Sequence, residues 1–186
     1  MPSVQSVLWE RPEAHSLEYF KLVTLPDRYM LEGTVVLPLE KFPTRITYKV
    51  ECDPGWKTRS VDIHQERASE VKRLTLEVGQ DQVWRVAGSV VPFATGFFDV
   101  DLEITPATNT LPIRRLALQE GQSAQVEAVW VRFPSLSVER LQQRYTRIEH
   151  HRYQYEGLSS GYQTQLEVDE SGIVISYFGV WRQVNV

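Results

Sequence analysis

A chain of 186 residues with a net charge of −4 and a single cysteine is long enough to bury roughly 70% of its unfolded surface without a covalent staple. Cys52 alone excludes an intrachain disulfide framework and a cysteine-based zinc finger, and the negative balance argues against nucleic acid as a partner. The N-terminal Met1-Pro-Ser-Val-Gln-Ser-Val-Leu-Trp-Glu10 lacks the basic segment and apolar core of a secretory signal. No apolar run reaches the ~18 residues needed to cross a bilayer, so a cytoplasmic protein without stable membrane insertion is expected.

Apolar residues recur mostly with period two, which predicts strands rather than helices. Ser6–Glu10 and Leu17–Val23 are the first strands, the second also compatible with a short helical turn. Tyr29–Leu37 follows the Pro26-Asp27 turn and is expected to stop at Pro38. In Phe42–Asp53, Ile46, Tyr48, Val50 and Cys52 alternate with Arg45, Thr47, Lys49 and Glu51, the pattern of a half-buried strand. Asp53-Pro54-Gly55 turns the chain into a hairpin partner over Trp56–His64. Val71–Val78 and Gln82–Val86 form a hairpin across Gly79-Gln80-Asp81.

Gly96–Ile104 comes next, with Asp99, Asp101 and Glu103 on one face and Val100, Leu102 and Ile104 on the other. Thr105-Pro-Ala-Thr-Asn-Thr110 reads as a polar turn. Pro112 bounds it, and Ile113-Arg-Arg-Leu116 is expected to resume an extended chain, with Arg114 and Arg115 on opposite faces. Ala124–Phe133 is another strand, stopped at Pro134. Residues 141–156 fit either a helical stripe through Leu141, Tyr145 and Ile148 or a hairpin. The abundance of Tyr, Thr and Ile favours the hairpin. Tyr162–Val168, the turn Asp169–Gly172 and Ile173–Trp181 close the chain. With no repeat, low-complexity tract or linker, one domain over residues 1–186 is the simplest account. About ten short strands and few or no long helices predict an all-β, mainly antiparallel fold: a curved sheet, a sandwich or an open barrel.

The chemistry is concentrated between Asp99 and Leu116. Two carboxylates two residues apart could hold different pKa values and work as acid and base, or could pair with Arg114 and Arg115 as a structural corner. A guanidinium facing a cavity would suit a phosphate, a carboxylate or a sugar hydroxyl. No Gly-x-Ser-x-Gly elbow, phosphate loop, dinucleotide fingerprint or His-Glu-x-x-His occurs, and no cofactor is called for. The side chains of His150 and His151 diverge in a strand and have no acid at a familiar spacing, so no metal is expected there. Five Trp, eight Tyr and seven Phe exceed what catalysis explains. Most belong to the core, but Trp56 after a turn and Trp181 near the end are expected to be partly exposed, where flat rings bind sugars or acyl chains.

Leu31-Glu-Gly-Thr-Val, Tyr48-Lys-Val-Glu-Cys-Asp-Pro-Gly-Trp-Lys-Thr-Arg59, Asp99-Val-Asp-Leu, the Thr105–Leu116 block, Val131-Arg-Phe-Pro134 and Tyr177-Phe-Gly-Val-Trp181 together resemble a bacterial glycolipid-binding family formerly catalogued as a domain of unknown function. Thr-Pro-Ala-Thr-Asn is the most specific block, and Phe178 stands where the family more often has Pro. The resemblance implies a strongly curved antiparallel sheet, an open barrel or spiral β-roll around a hydrophobic cavity, similar to bacterial lipoprotein-carrier folds. It also implies a glycolipid or other amphipathic ligand. The expected ligand-binding set is Asp99, Asp101, Asn109, Arg114, Arg115, Trp56, Tyr48 and Trp181, with no catalytic residue assigned. A carboxylate-dependent hydrolase or isomerase acting on a sugar or lipid is the alternative, and an interaction module forming a homodimer is the third reading.

Overall fold

The computed structural model describes residues 2–184. Alternation along the chain becomes fifteen strands: β1 Ser3–Arg11, β2 Ser16–Thr24, β3 Tyr29–Leu39, β4 Phe42–Cys52, β5 Thr58–Arg67, β6 Glu70–Val78, β7 Trp84–Val86, β8 Ser89–Val90, β9 Asp99–Leu102, β10 Ser123–Val131, β11 Val138–Glu149, β12 Arg152–Gly157, β13 Tyr162–Val168, β14 Val174–Tyr177 and β15 Trp181–Gln183. All pair into one sheet of order β8-β7-β6-β5-β4-β3-β2-β1-β15-β14-β13-β12-β11-β10-β9. Every pairing is antiparallel except β9 against β10. Two meanders therefore meet at β1 and β15, where Trp9 faces Gln183 and Glu10 faces Arg182.

Strand spacing explains why the sheet must roll. Fifteen strands laid flat would put β8 and β9 roughly 65 Å apart, yet the segment between Val90 and Asp99 is eight residues long and reaches about 30 Å at most. The edges are drawn toward each other and the sheet curls around one hydrophobic core, which Trp9, Phe20, Ile46, Leu76, Trp84, Tyr145 and Leu166 enter from strands all along its width. In β4 the inward residues are Ile46, Tyr48, Val50 and Cys52, as the alternation predicts.

Three details depart from the sequence reading, and one alternative is resolved. β3 runs through Pro38 to Leu39, because Pro38 lies directly opposite Pro43 near the hairpin tip, where neither residue is asked for an N–H. The 141–156 region is a hairpin, β11 and β12, as favoured, with an irregularity between Arg147 and Glu149. Ile173–Trp181 is two short strands rather than one, because Tyr177–Val180 forms a turn closed by Val180 N–H to Tyr177 O at 2.8 Å. Gly179 supplies the positive φ of +75° that this turn requires, so Phe178 is accommodated beside it without proline.

The third departure matters most. Ile113–Leu116 is not extended; Thr110–Leu116 is a helix, α1, preceded by a 3-10 turn over Ala107–Asn109. Pro112 was read as a boundary, but it occupies the first turn of α1, where a missing N–H costs nothing. Ala117 ends the helix in the left-handed region, its N–H reaching Ile113 O, and Arg114 and Arg115 in the last turn complement the helix dipole.

Candidate functional site

Thr105 through Ile113 is buried without interruption. Thr105 Oγ1 donates to Glu18 Oε1 on β2 at 2.8 Å, and Tyr48 on β4 donates to the same oxygen at 2.5 Å. Tyr145 on β11 donates to Asn109 Oδ1 at 2.8 Å, and Thr110 donates to Gly172 O in the β13–β14 turn at 3.0 Å. β4 and β11 stand eight places apart in the sheet. A segment touching both must lie inside the curve, so the Thr-Pro-Ala-Thr-Asn block is an internal plug filling space that an empty barrel would leave as cavity.

What remains beside the plug is an open cleft of about 350 Å³. Asp101, Asn109, Tyr155, Tyr162, Tyr177 and Trp181 line it. The three tyrosines surround one another edge to face, with centroids 6.0 to 6.5 Å apart. Gln143, itself buried, donates to Asp101 Oδ2 at 2.7 Å and to Tyr155 Oη at 3.0 Å, fixing both groups at the cleft wall. Burial pushes the Asp101 carboxyl up to about 6, against the lowering influence of the Gln143 hydrogen bond, with the Glu103 charge adding to the rise. Burial also raises the Tyr155 and Tyr177 phenols, which stay protonated hydrogen-bonding groups.

The predicted residues separate into distinct places. Asp101, Asn109 and Trp181 share the cleft. Asp99 does not: its carboxylate is buried and held by Arg115, Nε to Oδ1 at 3.2 Å and Nη2 to Oδ2 at 2.5 Å. Burial raises the Asp99 carboxyl while Arg115 pulls it down. Glu103 faces the cleft but is engaged by Arg132 Nε at 3.1 Å and by the N–H of Phe133. Each acid of the Asp99–Glu103 stretch thus has its own partner, and Asp99 with Asp101 is not an acid–base couple around one space. Tyr48 points into the Glu18 corner.

Trp56 and Trp181, expected to be partly exposed, are both buried. Trp56 takes a positive φ of 62° after the Asp53 turn and stacks on Tyr29 at 3.9 Å between centroids, with the Arg114 guanidinium over it at 5.4 Å. Arg114 belongs to a second cleft at the far end of α1. Gln143, Tyr155, Tyr162 and Tyr177 were missed as a group. The 2-residue spacing of Tyr153 and Tyr155 was a visible signal for inward rings, but convergence of β11 to β14 on β9 depends on long-range pairing that no local pattern carries.

Among the described residues, no helix is long and apolar enough to cross a membrane. The sequence profile of a family described as "Putative glycolipid-binding" matches residues 6–183. The crystal structure of a DUF1089 family protein from Pseudomonas aeruginosa is similar, with 33% identity, a TM-score of 0.83, and coverage of 91% of this chain and 92% of that one. No curated protein matches the sequence.

Proposed function

The chain belongs to this glycolipid-binding family, and from that premise we propose that the tyrosine-lined cleft holds the polar head of a glycolipid or similar amphipathic molecule, without turning it over. The observation that carries the reading is the composition of the cleft wall. Tyr155, Tyr162, Tyr177 and Trp181 offer ring faces and edges to the C–H surface of a sugar, while Asp101 and Asn109 offer acceptors and an amide for its hydroxyls. Gln143 holds Asp101 in place before a ligand arrives, which lowers the ordering cost of binding. The cleft suits a head group, and the plug leaves the acyl chains to run outward past exposed Tyr162 and Phe178 rather than into the core.

Titration with a short-chain alkyl glycoside should perturb tryptophan fluorescence saturably, because Trp130 and Trp181 border the cleft, and a glycolipid should co-elute from a lipid extract. Tyr162 is 42% exposed, so Tyr162→Ala should weaken binding about tenfold with the melting temperature unchanged. A protein that stays empty across glycolipid classes and does not respond to the glycoside would overturn the reading. The hydrolase alternative has one observation in its favour, that Asp101 and Glu103 border one cleft. Release of the aglycone from an aryl glycoside, abolished by Asp101→Asn, would replace binding by catalysis.

A further inference from the structure

A second cleft, of about 330 Å³, opens where the β11–β12 turn, the β13–β14 turn and the end of α1 meet. Arg114, Arg147, His150 and His151 all face it. Eleven arginines of the described residues have a carboxylate within 4 Å; Arg114 and Arg147 do not. Two guanidiniums without an acidic partner on one concave surface form a site arranged for negative charge.

Both cations are held in position by uncharged groups. Arg147 donates from Nη1 to Leu118 O at 2.8 Å and from Nε and Nη2 to His150 O at 3.2 and 2.5 Å, leaving one N–H on each of Nη1 and Nη2 for a ligand. Arg114 stacks over Trp56 and passes Gly172 so closely that a Cβ there would lie 2.9 Å from Arg114 Cδ. Gly172 has a φ of +77° as well, so the glycine serves both the turn and the path of the arginine.

Two acids border the cleft. Asp169 Oδ1 accepts the N–H groups of Ser171 and Ile173, each at 2.9 Å, closing its own turn. Glu170 is exposed and lies 3.3 Å from His151 Nε2.

We propose that this cleft binds a phosphate-class oxyanion, with Arg114 and Arg147 as its principal contacts and His150 and His151 as additional N–H donors. The planar forks match the tetrahedral oxyanion geometry that a single point charge would not. A divalent cation is the competing occupant, since ligand atoms of His150, His151 and Glu170 lie within 4.8 Å of one another. Arg147 Nη2 stands 3.4 Å from His150 Nδ1, however, and a permanent positive charge at that distance opposes a cation and favours an anion. The site is separate from the tyrosine-lined cleft, so its occupancy stands independently of the glycolipid reading.

The test is calorimetric and NMR titration of the full chain with inorganic phosphate, with phosphatidylglycerol vesicles set against phosphatidylcholine vesicles, and with Zn²⁺. Saturable phosphate binding with shifts of the His150 and His151 ring resonances is expected, weakened about tenfold by Arg114→Gln and by Arg147→Gln. Arg147→Lys, which keeps the charge but loses the fork, should retain folding and an intermediate affinity. Binding to phosphatidylglycerol alone, lost in the same variants, would assign the anion to a lipid head group. Failure of wild type with both phosphate and phosphatidylglycerol, affinity unchanged in all three variants, or Zn²⁺ binding in place of phosphate would each overturn the proposal.

Discussion

Glu18 is a carboxyl with no accessible surface, no basic partner, two hydroxyls on Oε1 and none on Oε2. Burial pushes it up to about 8, in spite of the lowering hydrogen bonds from Tyr48 and Thr105. In the unfolded chain the same group titrates near 4.5. Below that value both states are protonated and the stability is complete. Between 4.5 and 8 the unfolded chain gives up the proton and the folded one does not, so stability falls as pH rises and levels off above 8. Glu18→Gln should flatten this decline, raising stability at alkaline pH on the order of a few kcal/mol relative to wild type. Melting curves from pH 4 to 9 check it; an unchanged slope would remove the protonated carboxyl from the account. None of this was legible locally, because a charged residue in Leu17-Glu-Tyr-Phe is assigned outward by pattern, whereas registration with Tyr48 and Thr105 is set by distant segments. Asp99 and Arg115, sixteen positions apart, were legible as a pair, since the loop between them was expected to bring acids and arginines together, although a helix rather than an extended chain does so.

At the level of elements, hairpins were readable and connections were not. Alternation and turn residues located β4 with β5, β6 with β7 and β13 with β14, all formed between neighbours in the chain. The parallel pairing of β9 with β10 and the helix α1 escaped, because a short run holding Pro112 is equally good in a first helical turn or after a loop. One element-scale contact gives a direct test. Gly33 on β3 lies opposite Tyr48 on β4, and a Cβ at 33 would sit 2.3 Å from Tyr48 ring atoms. The ring crosses the glycine to reach Glu18, so Gly33→Ala must displace it. The expected cost is ~1–3 kcal/mol, and because the Tyr48 hydrogen bond lowers the Glu18 carboxyl, its loss should steepen the alkaline decline of stability. An unchanged melting temperature together with an unchanged decline would show that the ring has another path.

For the whole molecule, ties at several places hold the two meanders together. β1 pairs with β15, supported by Arg182 Nε to Glu10 Oε1 at 2.7 Å. Trp9 Nε1 reaches across to Val174 O at 2.7 Å. The Thr105–Ile113 plug bonds to both halves from inside. The family's most specific sequence block is therefore the piece that fastens the curved sheet, which explains its buried polar character without catalysis. The clefts lie on either side of it, Thr105 and Asn109 bordering the tyrosines and Ile113, followed by Arg114, bordering the histidines.

The meeting of β1 and β15 in mid-sheet has a consequence for where the chain can be cut. The first and last strands, β1 and β15, lie at the centre of the hydrogen-bonded array, while the loop between β8 and β9 ties its two rims. Circular permutation would exchange these roles. Joining the ends with a flexible linker of about eight residues and opening the exposed Thr95–Gly96 bond leaves each strand next to its predecessor along the entire array, antiparallel everywhere but between β9 and β10. Such a permutant should fold to the same sheet and, having replaced the most sequence-distant strand pairing by a local one, should refold faster than the parent in stopped-flow measurements. Its failure to reach the native circular dichroism would mean that the rim-to-rim loop, rather than the central seam, is what closes the curve.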